Sequence, residues 1–122
     1  TELLALLQRM AAEVFENEVG HTLRDLGFEP ELEPRRGAPD IIVRVANQRV
    51  GIEAKDWTVP QERSRIERVV RRLTEAREVF DLAGVLLVTA RPLVSSTDVT
   101  PEVRVVSIDQ LTREIVEEVA RV

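Results

Sequence analysis

The stretch Pro39-Asp40-Ile41-Ile42-Val43-Arg44-Val45-Ala46-Asn47-Gln48-Arg49-Val50-Gly51-Ile52-Glu53-Ala54-Lys55 decides how this chain folds. Apolar residues alternate on either side of Asn47-Gln48. Asn tolerates left-handed φ, so the spacing predicts an antiparallel hairpin with Asn47-Gln48 as its two-residue turn. That turn makes Ala46 face Arg49, Val45 face Val50, Val43 face Ile52 and Asp40 face Lys55. Residues directly opposite share a face of the sheet, and so do residues two apart on one strand. Asp40, Glu53 and Lys55 therefore emerge on one face, while Ile41, Val43, Val45, Val50, Ile52 and Ala54 line the other. Charge and burial patterns agree, because a one-residue slip would send Asp40 into the core.

Upstream, residues 2–26 read as an amphipathic helix. Leu3, Leu7, Met10, Val14 and Phe15 fall at helical spacing and continue through Val19, Leu23 and Leu26. Gly27 fits the residue just past the helix end. Glu16 shares a stripe with Ala12, Val19, Gly20 and Leu23. An acid beside an apolar stripe is costly unless it is paired, protonated or bound to a cation. Gly20 costs a helix interior about 1 kcal/mol relative to Ala, and close approach to the sheet is the expected compensation. His21 is the lone histidine and the chain has 0 cysteines, which excludes a conventional zinc site. Phe28 to Leu32 read as an irregular strand that Pro30 and Pro34 confine to an edge. Arg35-Arg36-Gly37-Ala38 is the loop into the hairpin; its arginines are either phosphate anchors or solvated.

Downstream, Thr58 with Gln61 has the form of a capping box, which predicts a helix from about Pro60 to Leu82. Ile66, Val69, Val70, Leu73, Ala76 and Phe80 form its apolar stripe, with arginines on the remaining faces. Val85-Leu86-Leu87-Val88 is a continuous apolar run, the mark of a central parallel strand. Arg91 to Pro101 is a polar loop and Val103 to Val106 a further strand. Ser107 with Gln110 predicts the cap of a last helix bearing Leu111, Ile115 and Val119. The order is helix, three strands, helix, two strands, helix, in one domain spanning 1–122.

The net charge of −5 disfavours a nucleic-acid partner only until its distribution is considered. Residues 1–34 carry net −6 and residues 35–77 net +5, so positive charge gathers around the hairpin. Arg63 and Arg65 lie nearest it on the second helix and are the preferred nucleic-acid contacts, with Arg35 and Arg36. Of 17 basic residues, Lys55 is the only lysine. No apolar run reaches the ~20 residues of a membrane span. Without cysteines or a signal-peptide pattern, a cytoplasmic location is expected.

Pro39-Asp40 followed by Glu53-Ala54-Lys55 resembles the signature of the PD-(D/E)xK nucleases. Phe15-Glu16, Leu23 and Leu26-Gly27-Phe28 resemble the first helix of its Mrr-like and Holliday-junction-resolvase-like members. The resemblance implies an α/β restriction-endonuclease-like core of order αβββαββα, with a mixed sheet flanked by helices. It implies a metal-dependent DNA endonuclease leaving a 5′-phosphate and a 3′-hydroxyl. It also implies an acidic residue on the first helix, here Glu16, completing the metal site, although Glu16 bordering the core is as good a reading. Gln61 stands where relatives sometimes place a helical Gln near the site. DNA is the implied partner, with a homodimer common in the class. Asp40 and Glu53 suit Mg²⁺, with Mn²⁺ substituting, and the Ala54 carbonyl is a third candidate ligand. Lys55 is expected to hold the attacking water and offset phosphate charge. The alternatives are a non-catalytic nuclease-fold module that binds DNA or supports assembly, and a plain surface ion cluster on an unrelated α/β domain.

Overall fold

Helix α1 (Glu2–Asp25) starts at Thr1, whose hydroxyl accepts from Leu4 N–H at 3.3 Å. It stops as expected at Gly27, where φ is 95°. There Gly27 N–H donates to the Arg24 carbonyl and Phe28 N–H to the Leu23 carbonyl, each at 2.9 Å. This is the Schellman arrangement, and it drives the apolar pair Leu23 and Phe28 into the core. The structure is a computed structural model that describes residues 1–31, 33, 35–92 and 103–121. Leu32, Pro34 and most of the polar loop expected after Arg91 lie outside the described residues.

Only Phe15, Val19 and Leu23 of α1 are buried. Leu3, Leu7, Met10 and Val14, expected on the same core stripe, are exposed instead. At 1.5 Å per residue α1 is about 36 Å long, whereas the longest strand spans only about 26 Å, so the helix outruns the sheet. Gly20 does not approach the sheet either, since a Cβ placed there meets nothing within 4 Å.

The hairpin forms from β2 (Ile41–Val45) and β3 (Gln48–Lys55), with edge strand β1 (Pro30–Glu31) antiparallel to β2. Its turn is Ala46-Asn47, not Asn47-Gln48. Val45 pairs with Gln48, Val43 with Val50 and Ile41 with Ile52, and the positive φ of 54° falls on Ala46. Continuing this register places Asp40 opposite Glu53 rather than Lys55. The pairing differs from expectation by two residues, which leaves every side chain on its expected face. Apolar pairs are equally good in both registers. The observed one adds hydrogen bonds between Asp40, Glu53 and Ala54 at the far end of the ladder.

After β3 the chain forms α2 (Arg63–Val79), β4 (Gly84–Thr89), β5 (Arg104–Ser107), a 3-10 turn (Ile108–Gln110) and α3 (Arg113–Ala120). The sheet order is β1-β2-β3-β4-β5, antiparallel through β3 and parallel from β3 to β5. The apolar run in β4 lies, as expected, in a parallel strand between two others, buried along its whole length. Helices flank both faces. Phe15, Val19 and Leu23 of α1 and Val116 and Val119 of α3 cover Ile41, Val43, Val50 and Ile52. Ile66, Val70 and Leu73 of α2 cover Ile42, Val85 and Leu87. The face that carries Glu53 is therefore a second core face, not a solvated one.

Two expected caps change place. α2 begins at Arg63, with Glu62 as N-cap and no side-chain cap. A cap at Thr58 would require Val59 in helical conformation, which the following Pro60 disfavours. Gln61 instead donates to the Val59 carbonyl at 3.0 Å. Gln110 does accept from Ser107 N–H at 3.1 Å, but this opens the 3-10 turn, and α3 is capped by Thr112, which accepts from Ile115 N–H at 3.2 Å. Among the described residues no helix is long and apolar enough to cross a membrane.

The glycines give a paired stability prediction. Gly20→Ala fills open space and should raise stability by about 1 kcal/mol. Gly84→Ala presses a methyl group against the Val119 carbonyl and Cγ1, the latter at 2.7 Å, and should lower stability by about 1–3 kcal/mol. Chemical denaturation of the two variants beside the parent tests both signs.

Candidate functional site

The Glu53 carboxyl is held by the backbone of Asp40, and the Asp40 carboxyl by the backbone of Ala54. Asp40 stands one residue before β2 and Glu53 two residues before the end of β3. Asp40 N–H donates to Glu53 Oε1 at 3.1 Å, and Ala54 N–H donates to Asp40 Oδ2 at 2.9 Å. Both bonds end on carboxyl oxygens, the stronger class when the acceptor is ionised. They extend the β2–β3 ladder by side chains where β2 has stopped. In an antiparallel strand a residue's N–H and C=O point to the same neighbour. The Ala54 carbonyl therefore faces the Asp40 side.

Glu53 is 1% exposed, and its second oxygen, Oε2, is buried without a hydrogen-bond partner. A buried carboxyl needs compensating charge. Two cations approach it. The Lys55 ammonium, about a third exposed, lies 4.0 Å from Oε2. The Arg72 guanidinium comes in from α2 as a closer ion pair, in a geometry that is not a hydrogen bond. Arg72 was expected among the arginines on the faces of its helix away from the apolar stripe. It sits three residues after Val69 and four before Ala76, both turned to the sheet, and that spacing was the available signal for an inward-reaching cation.

Glu16 is partly buried, and its carboxyl pKa is raised, first by burial, then by the charge of Asp40 and of Glu13. The α1 acid thus lies within electrostatic reach of Asp40, although it makes no hydrogen bond to the pair among the described residues. Lys55, Thr89 and Ser107 are register partners across three parallel strands and share one face. Thr89 Oγ1 donates to the Arg91 carbonyl at 2.7 Å, and Ser107 Oγ is buried without a partner among the described residues.

The remaining candidates are not joined to this centre by a hydrogen bond or ion pair. Arg35 pairs with Glu33 at 2.7 Å and lies 4.7 Å over the Phe80 ring; its hydrogen bond holds the Glu33 carboxyl below the usual range. Arg63 pairs with Glu67 at 2.9 Å. Arg65 donates to Gln61 Oε1 at 3.1 Å and lies 5.6 Å over the Trp57 ring. Gln61 is not helical, for the reason Pro60 supplies. Arg36 is exposed, with no ion pair among the described residues.

Among the described residues no group of three or more His, Cys, Asp or Glu side chains is gathered as a metal-holding cluster. The oxygens that fit a hard cation number two carboxyls and one main-chain carbonyl, with Glu53 Oε2 as the orphaned buried atom. No protein-family model, curated protein or solved structure matches the chain.

Two predictions follow from this geometry. Arg72→Ala leaves Glu53 with Lys55 alone and should cost about 1–3 kcal/mol, discounted for the exposure of the arginine. In a Glu53→Gln background the same change should cost much less, which a double-mutant cycle by urea denaturation measures. For Glu16 the raised pKa means the fold prefers the protonated acid. Stability from this group is complete below the ordinary carboxylate pKa and is lost as pH rises through the raised value. Glu16→Gln should therefore raise the melting temperature at neutral pH, and the gain should disappear in acid below the carboxylate range.

Proposed function

We propose that the chain is a metal-dependent phosphodiester hydrolase acting on DNA, a nuclease with a restriction-endonuclease-like core. The observation that carries this reading is the pair of backbone bonds, Asp40 N–H to Glu53 and Ala54 N–H to Asp40, which fixes two carboxyls at one strand end beside the only lysine. The element order and mixed sheet support it. Asp40, Glu53 and the Ala54 carbonyl would hold Mg²⁺, or Mn²⁺ in its place. When bound, such a cation would neutralise phosphate charge and acidify a water.

The chain's own residues have distinct tasks. Ala54 N–H occupies Asp40 Oδ2 and leaves Oδ1 without a hydrogen bond among the described residues. Asp40 N–H occupies Glu53 Oε1 and leaves Oε2 toward the cations. Lys55, partly solvated and next to a carboxylate, donates to the water and to a phosphate oxygen as the scissile P–O bond breaks. Glu16, whose pKa is raised, lies near Asp40 and accepts a proton from water more readily than an ordinary carboxylate. Arg36 and Arg65, which form no ion pair with a carboxylate among the described residues, are better placed for backbone phosphates than Arg35 and Arg63, which do.

A second reading is favoured by one observation. Arg72 already supplies Glu53 with the positive charge a metal would bring. On that reading the chain is a non-catalytic module of the same fold, binding DNA or supporting assembly. Calorimetric titration with Mn²⁺ separates the two: a hydrolase binds it through Asp40 and Glu53, and binding is lost in the double variant Asp40→Asn, Glu53→Gln. Unchanged binding in that variant would remove the metal assignment.

Activity supplies the sharper test. Lys55→Arg conserves charge, but a planar guanidinium pairs bidentately with the neighbouring carboxylates where a compact ammonium reaches the water. Single-turnover cleavage of a panel of linear and branched DNAs with Mn²⁺ should fall at least about a hundredfold, roughly 2.7 kcal/mol of barrier. DNA binding and thermal unfolding should stay near the parent. Cleavage within a few-fold of the parent would take Lys55 out of the chemistry.

A further inference from the structure

The N-terminal half of α1 meets the body at its end, where Ala11 and Val14 line a pocket with Asp56, Ala90 and Ile108. Every residue from Thr1 to Val14 is exposed. The half nevertheless carries most of the large exposed apolar side chains among the described residues, including Leu3 at 66%, Leu7 at 52%, Met10 at 53% and Val14 at 58%. At about 100° per residue this stripe points roughly 150° away from Phe15, Val19 and Leu23, the side that packs on the sheet. It is a second apolar face on the same helix, turned from the sheet at Leu3, Leu7 and Met10, with Val14 at the rim of the pocket beside Ala90 and Ile108. Its positions follow one another at steps of four, three and four, the a/d repeat of a coiled-coil seam. Leu4, Leu6 and Ala11 widen it on both flanks.

The step pattern asks for another helix, because only a helix presents holes at that repeat. The apolar stripes of α2 and α3 are already turned into the sheet through Ile66, Val70, Leu73 and Val116, Val119. What offers a matching seam is α1 of a second copy. Charge then selects the orientation. A parallel pair sets Glu13 across from Glu18 of the partner subunit on both sides of the seam, like against like. An antiparallel pair sets Glu13 beside the partner's Leu6, and Leu4 beside the partner's Ala11, with no like charges opposed. Helix dipoles also oppose favourably in that orientation. The stripe offers on the order of 500 Å² per copy, or about 1,000 Å² in a pair, which is the lower bound for a specific interface. A lone helical arm of this length is marginal in water, so pairing also stabilises the helix itself.

We propose that two copies of this chain associate through their α1 arms as an antiparallel coiled coil, with Leu7 against the partner's Met10 and Leu3 against the partner's Val14. The proposal is independent of the phosphodiester reading. Sedimentation equilibrium over micromolar to millimolar concentrations should show a dimer. Leu7→Glu and Met10→Glu, both at positions exposed in the single copy, should each weaken association at least about thirtyfold, the scale of an interface hot spot. Near-ultraviolet circular dichroism of Trp57, the lone tryptophan and buried in the body, should stay unchanged. A parent that sediments as a monomer throughout, or variants that associate like the parent, would overturn the proposal. Because the chain has 0 cysteines, orientation is tested separately. Under mild oxidation, Leu3→Cys mixed with Val14→Cys should give a disulfide-linked pair, while either variant alone should not. Self-linking of either variant would mean a parallel seam and would overturn the antiparallel assignment.

Discussion

The burial of the Glu53 carboxyl is the constraint to which the rest of the molecule answers. A carboxyl group taken out of water beneath a helix must recover its lost hydration from the protein, and each element nearby contributes. The chain just before β2 supplies Asp40 N–H, α2 supplies Arg72 and the end of β3 supplies Lys55. Asp40 repeats the arrangement by accepting from Ala54 N–H. These contacts tie the hairpin register, the seating of α2 and the end of the sheet to a single side chain. A different hairpin pairing would keep the apolar contacts and lose the polar ones.

The mixed character of the sheet makes this end of the molecule distinctive. On the antiparallel side β2 stops early, so the backbone of Ala54 is left for Asp40 rather than for a strand partner. On the parallel side β3, β4 and β5 end level, and Lys55, Thr89 and Ser107 form a row of polar side chains on one face. Sites in α/β sheets favour the carboxyl ends of parallel strands, where side chains from several strands converge without a following residue to cover them. In this arrangement Glu53 is an ion-pair partner for α2 through Arg72.

α1 shows how one periodicity serves two surfaces. Its second half places Phe15, Val19 and Leu23 on the sheet, and its first half carries Leu3, Leu7 and Met10 in an exposed apolar stripe on nearly the opposite side. A helical repeat read from the sequence identifies apolar residues at helical spacing but not where the body ends beneath them. Once the helix outruns the sheet, apolar side chains lose the neighbour that would bury them, whatever their spacing.

Much of the fold was legible in the amino-acid sequence because it rests on local chemistry. Gly27 ends α1 since a left-handed residue is needed there, and the continuous apolar run in β4 can only be a strand covered on both faces. Asp40, Glu53 and Lys55 were assigned to one face by a period of two, and a two-residue register shift left that assignment intact. The turn itself was misplaced because apolar pairing is equally good in both registers, and the polar bonds that distinguish them join residues thirteen and fourteen apart. Pro60 delayed α2 through a restriction on Val59 that the capping pattern at Thr58 concealed. The covering of Glu53 by α2, the approach of Arg72, and the lack of any sheet contact at Gly20 were decided only by tertiary structure. Each depends on which element lies across the sheet at that point, and the spacing of residues along one strand or helix carries no measure of that distance.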